Sequence, residues 1–296
     1  MRVAILGLGA IGSAITERLH AEGAELTIWN RTRDRATQIG ARLGVSVADT
    51  PAHAVADTAI ALTALADRAA CEAVFSGADG ILAGAHPGLV VCDLSTVEPS
   101  VSRSLAPVLR AKGADVIDTP ISGSTVLARR GELTIMIGGD DEAIARARPV
   151  LELLGRQLFH VGPVGSGAAM KLAVNTVLHG LNEALAEGLV LAESAGIPRS
   201  LAYDILAKSA VGAPFVHYKR RNFEDPDNAS VDFRLALVCK DLRLIREFAE
   251  QTGVLLPQLD TNLRVAQRAC EQMGDRDMST LAVYLRKHSK QLADEP

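Results

Sequence analysis

The sequence predicts an α/β fold followed by an all-α module. Short apolar runs alternate with helical spacing through the first half, and glycines follow the first of these runs. After Gly165 the strand pattern stops, and the longest helical run begins without an internal proline. We therefore expect an N-terminal doubly wound α/β domain over residues 1–163. An all-helical domain over residues 164–296 should follow, joined to it through the long helix at its start.

Composition narrows the classes of function. The chain has 296 residues and a net charge of −4, which gives no electrostatic footprint for nucleic acid. No apolar stretch reaches the roughly 18 residues that a membrane span needs. The four cysteines form no C-x-x-C pair, and the histidines show no metal-ligand spacing. We expect a cytoplasmic protein with reduced thiols and with no metal, membrane or nucleic-acid partner.

The first apolar run leads directly into a G-x-G-x-x-G motif. Gly7 permits a tight turn, Gly9 lets the backbone approach a pyrophosphate, and Gly12 allows close helix packing. A second strand follows at the distance of a βαβ unit, so the motif predicts a dinucleotide-binding, Rossmann-type domain. The expected cofactor contacts here are Gly7, Leu8, Gly9, Ala10, Ile11 and Gly12. The alternative is a glycine-rich turn that binds no ligand.

The end of the second strand predicts which nucleotide is bound. A carboxylate is expected about 20 residues beyond the glycines to bind the ribose 2′-hydroxyl of NAD. This chain instead has Asn30, Arg31 and Thr32. Arg31 offers a planar charged fork that suits a 2′-phosphate, with Asn30 and Thr32 as further donors. The sequence therefore predicts NADP(H) over NAD(H), unless these are ordinary turn residues.

Later strands should carry further site residues at their carboxyl ends, the edge where such sheets bind ligands. They are expected at residues 58–63, 88–93, 114–118, 133–137 and 158–161, with a mixed far edge. Leu65 and Ala66 follow the first of these strands. The loop with Ser122, Gly123 and Ser124 follows the third, and its hydroxyls and amides can form a small anion nest. A plain turn around Pro120 is the alternative.

The long helix carries Lys171 and Asn175 one turn apart on a single face. Its leucines and valines cover most of the circumference, so the helix should be largely buried. These residues are Leu172, Val174, Val177, Leu178, Leu181, Leu185 and Leu189. A buried lysine is costly without a partner, so burial of Lys171 would indicate a functional role. The alternative is a surface lysine whose ammonium group reaches solvent from a buried helix. His179 is expected to be a satisfied core residue.

The remaining helices complete the second half. Ser200 is expected to cap a helix over residues 201–207. Helical spacing continues over residues 231–250, 258–272 and 278–291, and a looser charged stretch precedes the first of these.

Five motifs in order resemble the β-hydroxyacid dehydrogenase family, which includes 3-hydroxyisobutyrate dehydrogenase, tartronate semialdehyde reductase and the glyoxylate/succinic semialdehyde reductases. They are the fingerprint Gly7 to Gly12, Asp93-Leu-Ser-Thr96, Asp118-Thr-Pro-Ile-Ser122-Gly123, Gly167-x-x-x-Lys171-x-x-x-Asn175 and Lys240-Asp241-Leu242. The similarity covers nearly the whole chain. Five motifs in the right order are far more specific than any one of them.

The resemblance implies roles for the substrate residues. Lys171 corresponds to the family's catalytic acid/base, and Asn175 to the asparagine that helps to hold the substrate. Ser122 and Gly123 correspond to the loop that binds the substrate carboxylate. Ser124 departs from the pattern, because the family usually has a second glycine at this position.

The resemblance also implies that Thr96 and Lys240 contact the nicotinamide cofactor, and that the protein is a homodimer or homotetramer. The expected function is the NADPH-dependent, reversible reduction of a semialdehyde or glyoxylate to a hydroxy acid. One alternative is an imine reductase-like enzyme, which usually has aspartate or tyrosine at the lysine position. Others are 6-phosphogluconate dehydrogenase, normally a longer chain, and a non-catalytic dinucleotide-binding protein.

Overall fold

The computed structural model describes residues 2–292 of the chain. The chain divides into two compact units, the first ending at Leu172 and the second beginning at Ala173. The expected domain limit between residues 163 and 164 stays a prediction.

A parallel sheet forms the centre of the first unit. Its parallel strands are β1 (Arg2–Leu6), β2 (Glu25–Trp29), β3 (Ser46–Val47), β4 (Ile60–Thr63), β5 (Val90–Asp93) and β6 (Asp115–Asp118). Their spatial order is β3-β2-β1-β4-β5-β6. The order reverses between β1 and β4, which is the point where a doubly wound sheet opens a ligand crevice. The predicted fold class is confirmed.

The far edge of the sheet is mixed, as the sequence predicts. It consists of β7 (Ile121–Ser122), β8 (Leu133–Gly138) and β9 (Gly155–Gly162). Strand β8 runs antiparallel to β6 and β7, whereas β9 runs parallel to β8. Strands β3 and β7 were not predicted, because two residues carry no detectable period.

Helices cover both faces of this sheet. They are α1 (Ala10–Ala21), α2 (Arg33–Leu43), α3 (Pro51–Val55), α4 (Arg68–Ser76), α5 (Ile81–Gly84), α6 (Pro99–Arg110), α7 (Thr125–Arg130) and α8 (Asp141–Leu154). Alternation along β1 gives each face its own core, since Val3 and Ile5 enter one cluster and Ala4 and Leu6 the other. Burying one large apolar side chain, such as that of Ile5 or Leu6, contributes about 1.5–3 kcal/mol.

Helix α9 (Ser166–Ser194) forms where the long helical run predicts it. The expectation that its apolar residues are buried is only partly right. Leu172, Leu185 and Leu189 are buried, but the Val177 side chain is 71% exposed. Apolar residues surround this helix on more sides than the chain's own elements cover, so one side meets solvent.

The second unit is helical, as expected. After α9 it contains α10 (Arg199–Lys208), α11 (Pro214–Tyr218), α12 (Arg220–Glu224), α13 (Leu235–Thr252), α14 (Pro257–Met273), a 3₁₀ turn (Met278–Thr280) and α15 (Leu281–Leu292). Among the described helices, none has both the length and the apolar character needed to cross a bilayer.

Two local predictions in this unit were wrong. Ser200 lies inside α10, whose N-cap position is Pro198 and lacks a side-chain cap bond. Helix α13 begins at Leu235 and not at residue 231, because Arg234 is extended and forms an isolated β-bridge with Asp277. The carboxylate of Asp277 accepts hydrogen bonds from the backbone N–H groups of Asp232 and Phe233 there.

Candidate active site

The turn between β1 and α1 is shaped by its glycines. Gly7 has a φ of +95°, and a Cβ atom on it would lie 2.4 Å from the Ala64 carbonyl oxygen. A Cβ atom on Gly12 would lie 1.9 Å from the Gly7 carbonyl oxygen. Nothing lies within 4 Å of such an atom on Gly9. The turn is therefore packed tightly inside and open at Gly9, where the N-terminus of α1 can meet a phosphate.

Leu8 supports this turn from within the unit. Its side chain is buried, its N–H donates to Asn30 Oδ1 at 2.9 Å, and its carbonyl oxygen accepts from Ser13 Oγ at 2.9 Å. Ala10 is exposed and Ile11 half-buried beside the open glycine. Of these predicted contacts, Leu8 has its polar atoms engaged within the protein, whereas Gly9 and Ala10 face outward.

At the end of β2, Asn30 and Arg31 have different surroundings. The second polar atom of the Asn30 side chain, Nδ2, donates to the Thr32 carbonyl oxygen at 3.0 Å. Asn30 therefore links the end of β2 to the glycine turn. Arg31 and Thr32 are exposed, and within residues 2–292 the Arg31 side chain has no ion-pair partner. The Arg31 guanidinium is thus available to a ligand at this end of the sheet.

A buried hydrogen-bond network joins the ends of β4 and β5. Thr63 Oγ1 donates to Asp93 Oδ1 at 2.8 Å, and the Ser95 N–H donates to the same oxygen at 3.0 Å. The Leu65 N–H in turn donates to Ser95 Oγ at 3.0 Å. Burial raises the pKa of Asp93 above its ordinary value. This network sets the backbone of the two loops in which Leu65, Ala66 and Thr96 lie.

The sequence alone does not predict this network. Asp93 and Ser95 belong to a motif that the sequence singles out, but their partners become visible only once β4 and β5 are adjacent. Ala66 is exposed and Thr96 is half-buried beside this network.

The Ser122 loop is ordered by short elements on both sides. Ser122 pairs with Thr134 across β7 and β8. Gly123 has a φ of +143°, and a Cβ atom on it would lie 2.8 Å from Leu133 Cδ2. Ser124 Oγ accepts from the Leu127 N–H at 3.4 Å and so caps α7. The serine that replaces the family's second glycine therefore has a structural role in this chain.

Lys171 and Asn175 are both buried on α9. Their exposed fractions are 9% and 2%. This burial is inconsistent with the alternative of a surface lysine. An ammonium group at such a position requires hydrogen-bond or charged partners, because burial works against its charged form.

Asp241 organises the polar side chains of the second unit. Its Oδ2 accepts from Asn175 Nδ2 at 2.8 Å and lies 3.4 Å from His179 Nε2, while Lys240 Nζ lies 2.8 Å from Oδ1. Burial alone would raise the pKa of Asp241, but the hydrogen bond with His179 and the charge of Lys240 hold it below its ordinary value. Asp241 is therefore an anion that orients both Asn175 and Lys240.

The Asn175 Oδ1 atom is buried and has no hydrogen-bond partner within the described chain. The same holds for His179 Nδ1 and Glu183 Oε1. Burial raises the pKa of Glu183 to about 8, with a smaller contribution from Glu187. His179 is therefore not the fully satisfied core residue that the sequence predicts. Helical spacing of four residues from Asn175 to His179 to Glu183 was the available signal for this buried polar face.

No group of three or more His, Cys, Asp or Glu side chains that could hold a metal ion occurs within residues 2–292.

Two family models match the chain. The NAD-binding domain of 6-phosphogluconate dehydrogenase matches residues 2–162, and the NAD-binding region of NADP-dependent 3-hydroxyisobutyrate dehydrogenase matches residues 165–285. The chain belongs to the β-hydroxyacid dehydrogenase family. Both descriptions name an NAD-binding part of a dehydrogenase, which places the chain among the NAD(P)-dependent dehydrogenases of this family.

Similar proteins include a reductase, a protein named as a nuclear factor, and a dehydrogenase of known structure. Glyoxylate/succinic semialdehyde reductase 1 of Arabidopsis thaliana is 30% identical over 95% of this chain and 97% of its own length. The human cytokine-like nuclear factor N-PAC is 33% identical over 96% of this chain, which spans only 51% of N-PAC. A solved 3-hydroxyisobutyrate dehydrogenase of Mycobacterium tuberculosis with L-serine is 28% identical, with a TM-score of 0.83 over 96% of this chain and 99% of the other.

Proposed function

We propose that this β-hydroxyacid dehydrogenase uses NADPH to reduce small carbonyl acids to hydroxy acids, reversibly, with Lys171 as general acid/base. The observation that supports this most directly is the burial of Lys171 on α9, one turn before Asn175. Burying an ammonium group is costly, so a lysine held in such a place suits a functional role such as proton transfer.

The chain's own residues would manage charge and protons. A bound reduced nicotinamide would supply hydride to the carbonyl carbon. Lys171, as an ammonium, would donate a proton to the carbonyl oxygen as negative charge develops on that atom. In the reverse direction, Lys171 as a neutral amine would take the proton from the alcohol.

Asn175 and Ser122 would orient the substrate. With one Nδ2 hydrogen committed to Asp241, the Asn175 amide keeps its second hydrogen for a carbonyl oxygen and its unpartnered Oδ1 for an alcohol proton. Ser122 and Gly123 would anchor the substrate carboxylate through their N–H groups and the serine hydroxyl.

The preference for NADP(H) is supported by the exposed guanidinium of Arg31, which has no partner within the described residues. A planar fork of this kind matches the geometry of a 2′-phosphate. The open side of the turn at Gly9 suits the pyrophosphate. The second family model, described as NADP-dependent, adds support.

The proposed substrates are semialdehydes or glyoxylate. The name of the Arabidopsis relative gives both kinds, and the mycobacterial neighbour was solved with L-serine, a small 3-hydroxy acid. Reduction is the proposed direction, because the proposed cofactor NADPH is a hydride donor.

A second candidate is dinucleotide binding without catalysis. The observation behind it is that N-PAC, named as a nuclear factor, is as similar to this chain as are the relatives named as reductases. The two candidates differ in one respect that can be measured, namely turnover.

We also propose a homodimer or homotetramer, for which residues 164–296 would supply both substrate contacts and subunit contacts. The exposed apolar side of α9 around Val177 and Leu191 supports this. The four cysteines are free thiols, which supports a reducing, cytoplasmic compartment.

A substrate panel tests the proposal. Glyoxylate, succinic semialdehyde, methylmalonate semialdehyde and tartronate semialdehyde are each supplied with NADPH or NADH, and absorbance of the reduced cofactor is followed. We expect turnover with NADPH for at least one acid. NADPH binding without turnover of any of them would favour the non-catalytic candidate.

A further inference from the structure

Helix α9 is capped by a residue from a distant part of the sequence. Asp118, the last residue of β6, is buried; its Oδ1 accepts from the Gly165 N–H at 2.6 Å and its Oδ2 from the Ala168 N–H at 2.7 Å. The first N–H groups of a helix lack partners within the helix and are usually satisfied by the residue that precedes it. Here a strand supplies the cap, with one carboxylate oxygen for each donor.

Two glycines make room for this carboxylate. Gly138 pairs with Asp118 between β8 and β6, and a Cβ atom on Gly138 would lie 2.7 Å from both Asp118 oxygens. A Cβ atom on Gly167 would lie 2.8 Å from Asp118 Oδ2 and 2.5 Å from the Met136 carbonyl oxygen. The start of α9 is thus pressed against β6 and β8 with no space for a side chain between them, which fixes its place closely.

We propose that Asp118 is a positioning residue that sets the location of Lys171 relative to the Ser122 loop. Lys171 follows the capped Ala168 by one turn of α9, and Ser122 follows Asp118 in the segment that links β6 to β7. All of these residues lie in the unit that ends at Leu172. One carboxylate therefore ties the proton donor to the loop that would hold the substrate carboxylate. This inference rests on the proposed function of Lys171 and Ser122.

The bonding pattern defines the decisive substitution. Both oxygens accept an N–H, so asparagine would present its own amide hydrogens to one of the two donors. Asp118→Asn has nearly the same volume but loses one cap bond, which lets the start of α9 shift. A misplacement of 1 Å at a reacting group can lower the rate about 100-fold.

Steady-state kinetics of Asp118→Asn should show a selective fall in kcat of about tenfold or more, with the KM for NADPH within about threefold of wild type. The primary isotope effect with C4-deuterated NADPH should rise, because the chemical step becomes slower than product release. Leu151→Ala, in the core of the same unit, is the control for lost stability. It should lower Tm without these changes. Equal kcat in the two variants, measured where both are folded, would overturn the proposal.

Amide hydrogen exchange tests the cap in the wild-type protein and needs no folded variant. The Gly165 and Ala168 amides should exchange far more slowly than those of exposed loops. Rapid exchange of both would also overturn the proposal. This readout does not depend on turnover. If the wild-type protein reduces no carbonyl acid, the proposed function fails, while protection of these two amides still reports whether the cap exists.

Discussion

Asp241 accepts a 2.8 Å hydrogen bond from the carboxamide of Asn175, and this bond decides which way the amide points. A free asparagine side chain can present either its oxygen or its nitrogen to a ligand. With Nδ2 tied to a buried carboxylate, the Oδ1 atom is directed away from Asp241. The residue that the family resemblance assigns to substrate binding is therefore oriented before any substrate arrives, which lowers the entropic cost of binding.

Replacing Asp241 with asparagine should weaken substrate binding more than cofactor binding. The change replaces a charged acceptor with a neutral one, and a hydrogen bond to a charged group contributes about 1.5–3 kcal/mol. The KM for the carbonyl acid should therefore rise by about 10- to 100-fold. Steady-state kinetics with both substrates varied measures this. Asp277→Asn is a matched control, because Asp277 is also buried and pairs with Lys219 at 2.7 Å. The control should lower Tm without a selective change in KM. The same KM pattern in both variants would contradict a specific role for Asp241.

Glu183 should make the folded protein less stable as the pH rises. Burial raises its pKa to about 8, so between the ordinary carboxylate value and pH 8 the unfolded state loses its proton while the folded state keeps it. The free energy of unfolding is unaffected in acid, falls as pH rises from about 4.5, and stays lowered above about pH 8. The decrease is roughly 1.4 kcal/mol for each unit by which the pKa is raised. Glu183→Gln should therefore raise Tm at pH 8 and change it little at pH 5.

Thermal unfolding at the two pH values measures the Glu183 effect. Glu187→Gln, on the exposed side of the same helix, should give a much smaller difference. A Glu183→Gln protein whose Tm differs from wild type by the same amount at pH 5 and pH 8 would show that Glu183 is ionised in the folded state.

Arg31→Ala should separate the two nicotinamide cofactors. Loss of a charge-assisted contact with a 2′-phosphate costs about 1.5–3 kcal/mol, which raises the KM for NADPH by about 10- to 100-fold. The KM for NADH should change little, because NADH lacks that phosphate. Arg35→Ala, which removes an exposed arginine on the neighbouring helix α2, serves as the control. Equal effects of Arg31→Ala on the two cofactors would remove Arg31 from the phosphate site.

The exposed side of α9 should mediate self-association. Val177 and Leu191 are 71% and 72% exposed and lie at helical spacing on the same side. Val177→Glu combined with Leu191→Glu should reduce the mass measured by light scattering to that of one chain, 31.2 kDa. Val126→Glu, which alters an exposed apolar residue on α7, should leave the assembly intact. A wild-type protein that is already monomeric at micromolar concentration would refute this assignment.

The sequence predicts the architecture well because its signals are local. A glycine fingerprint between β1 and α1 and a proline-free run over α9 each define an element with few neighbours needed. Burial of Val177 was predicted wrongly for the opposite reason. An apolar residue indicates that some surface should cover it, but its own sequence does not say whether that surface belongs to the same chain.

The arrangement of site residues was harder to predict. Lys171 and Asn175 follow from helical spacing and from the resemblance. The contact of Asp118 with Gly165 and Ala168, by contrast, joins residues that are distant in sequence and needs the pairing of β6 with β8. The same applies to Asp241, which was visible in a motif but whose partners on α9 depend on packing between helices. Residues that orient others leave a weaker sequence pattern than the residues that they orient.

The central claim concerns the amine of Lys171, and the Lys171→Ala variant tests it most directly. Its NADPH oxidation with the best carbonyl acid is compared with wild type, and NADPH binding is followed by cofactor fluorescence. We expect unchanged NADPH affinity and a rate at least about 100-fold lower, since a positioned acid/base supplies that much or more. A variant that binds NADPH normally and retains more than about a tenth of the wild-type rate would contradict the assignment of Lys171 as the proton donor.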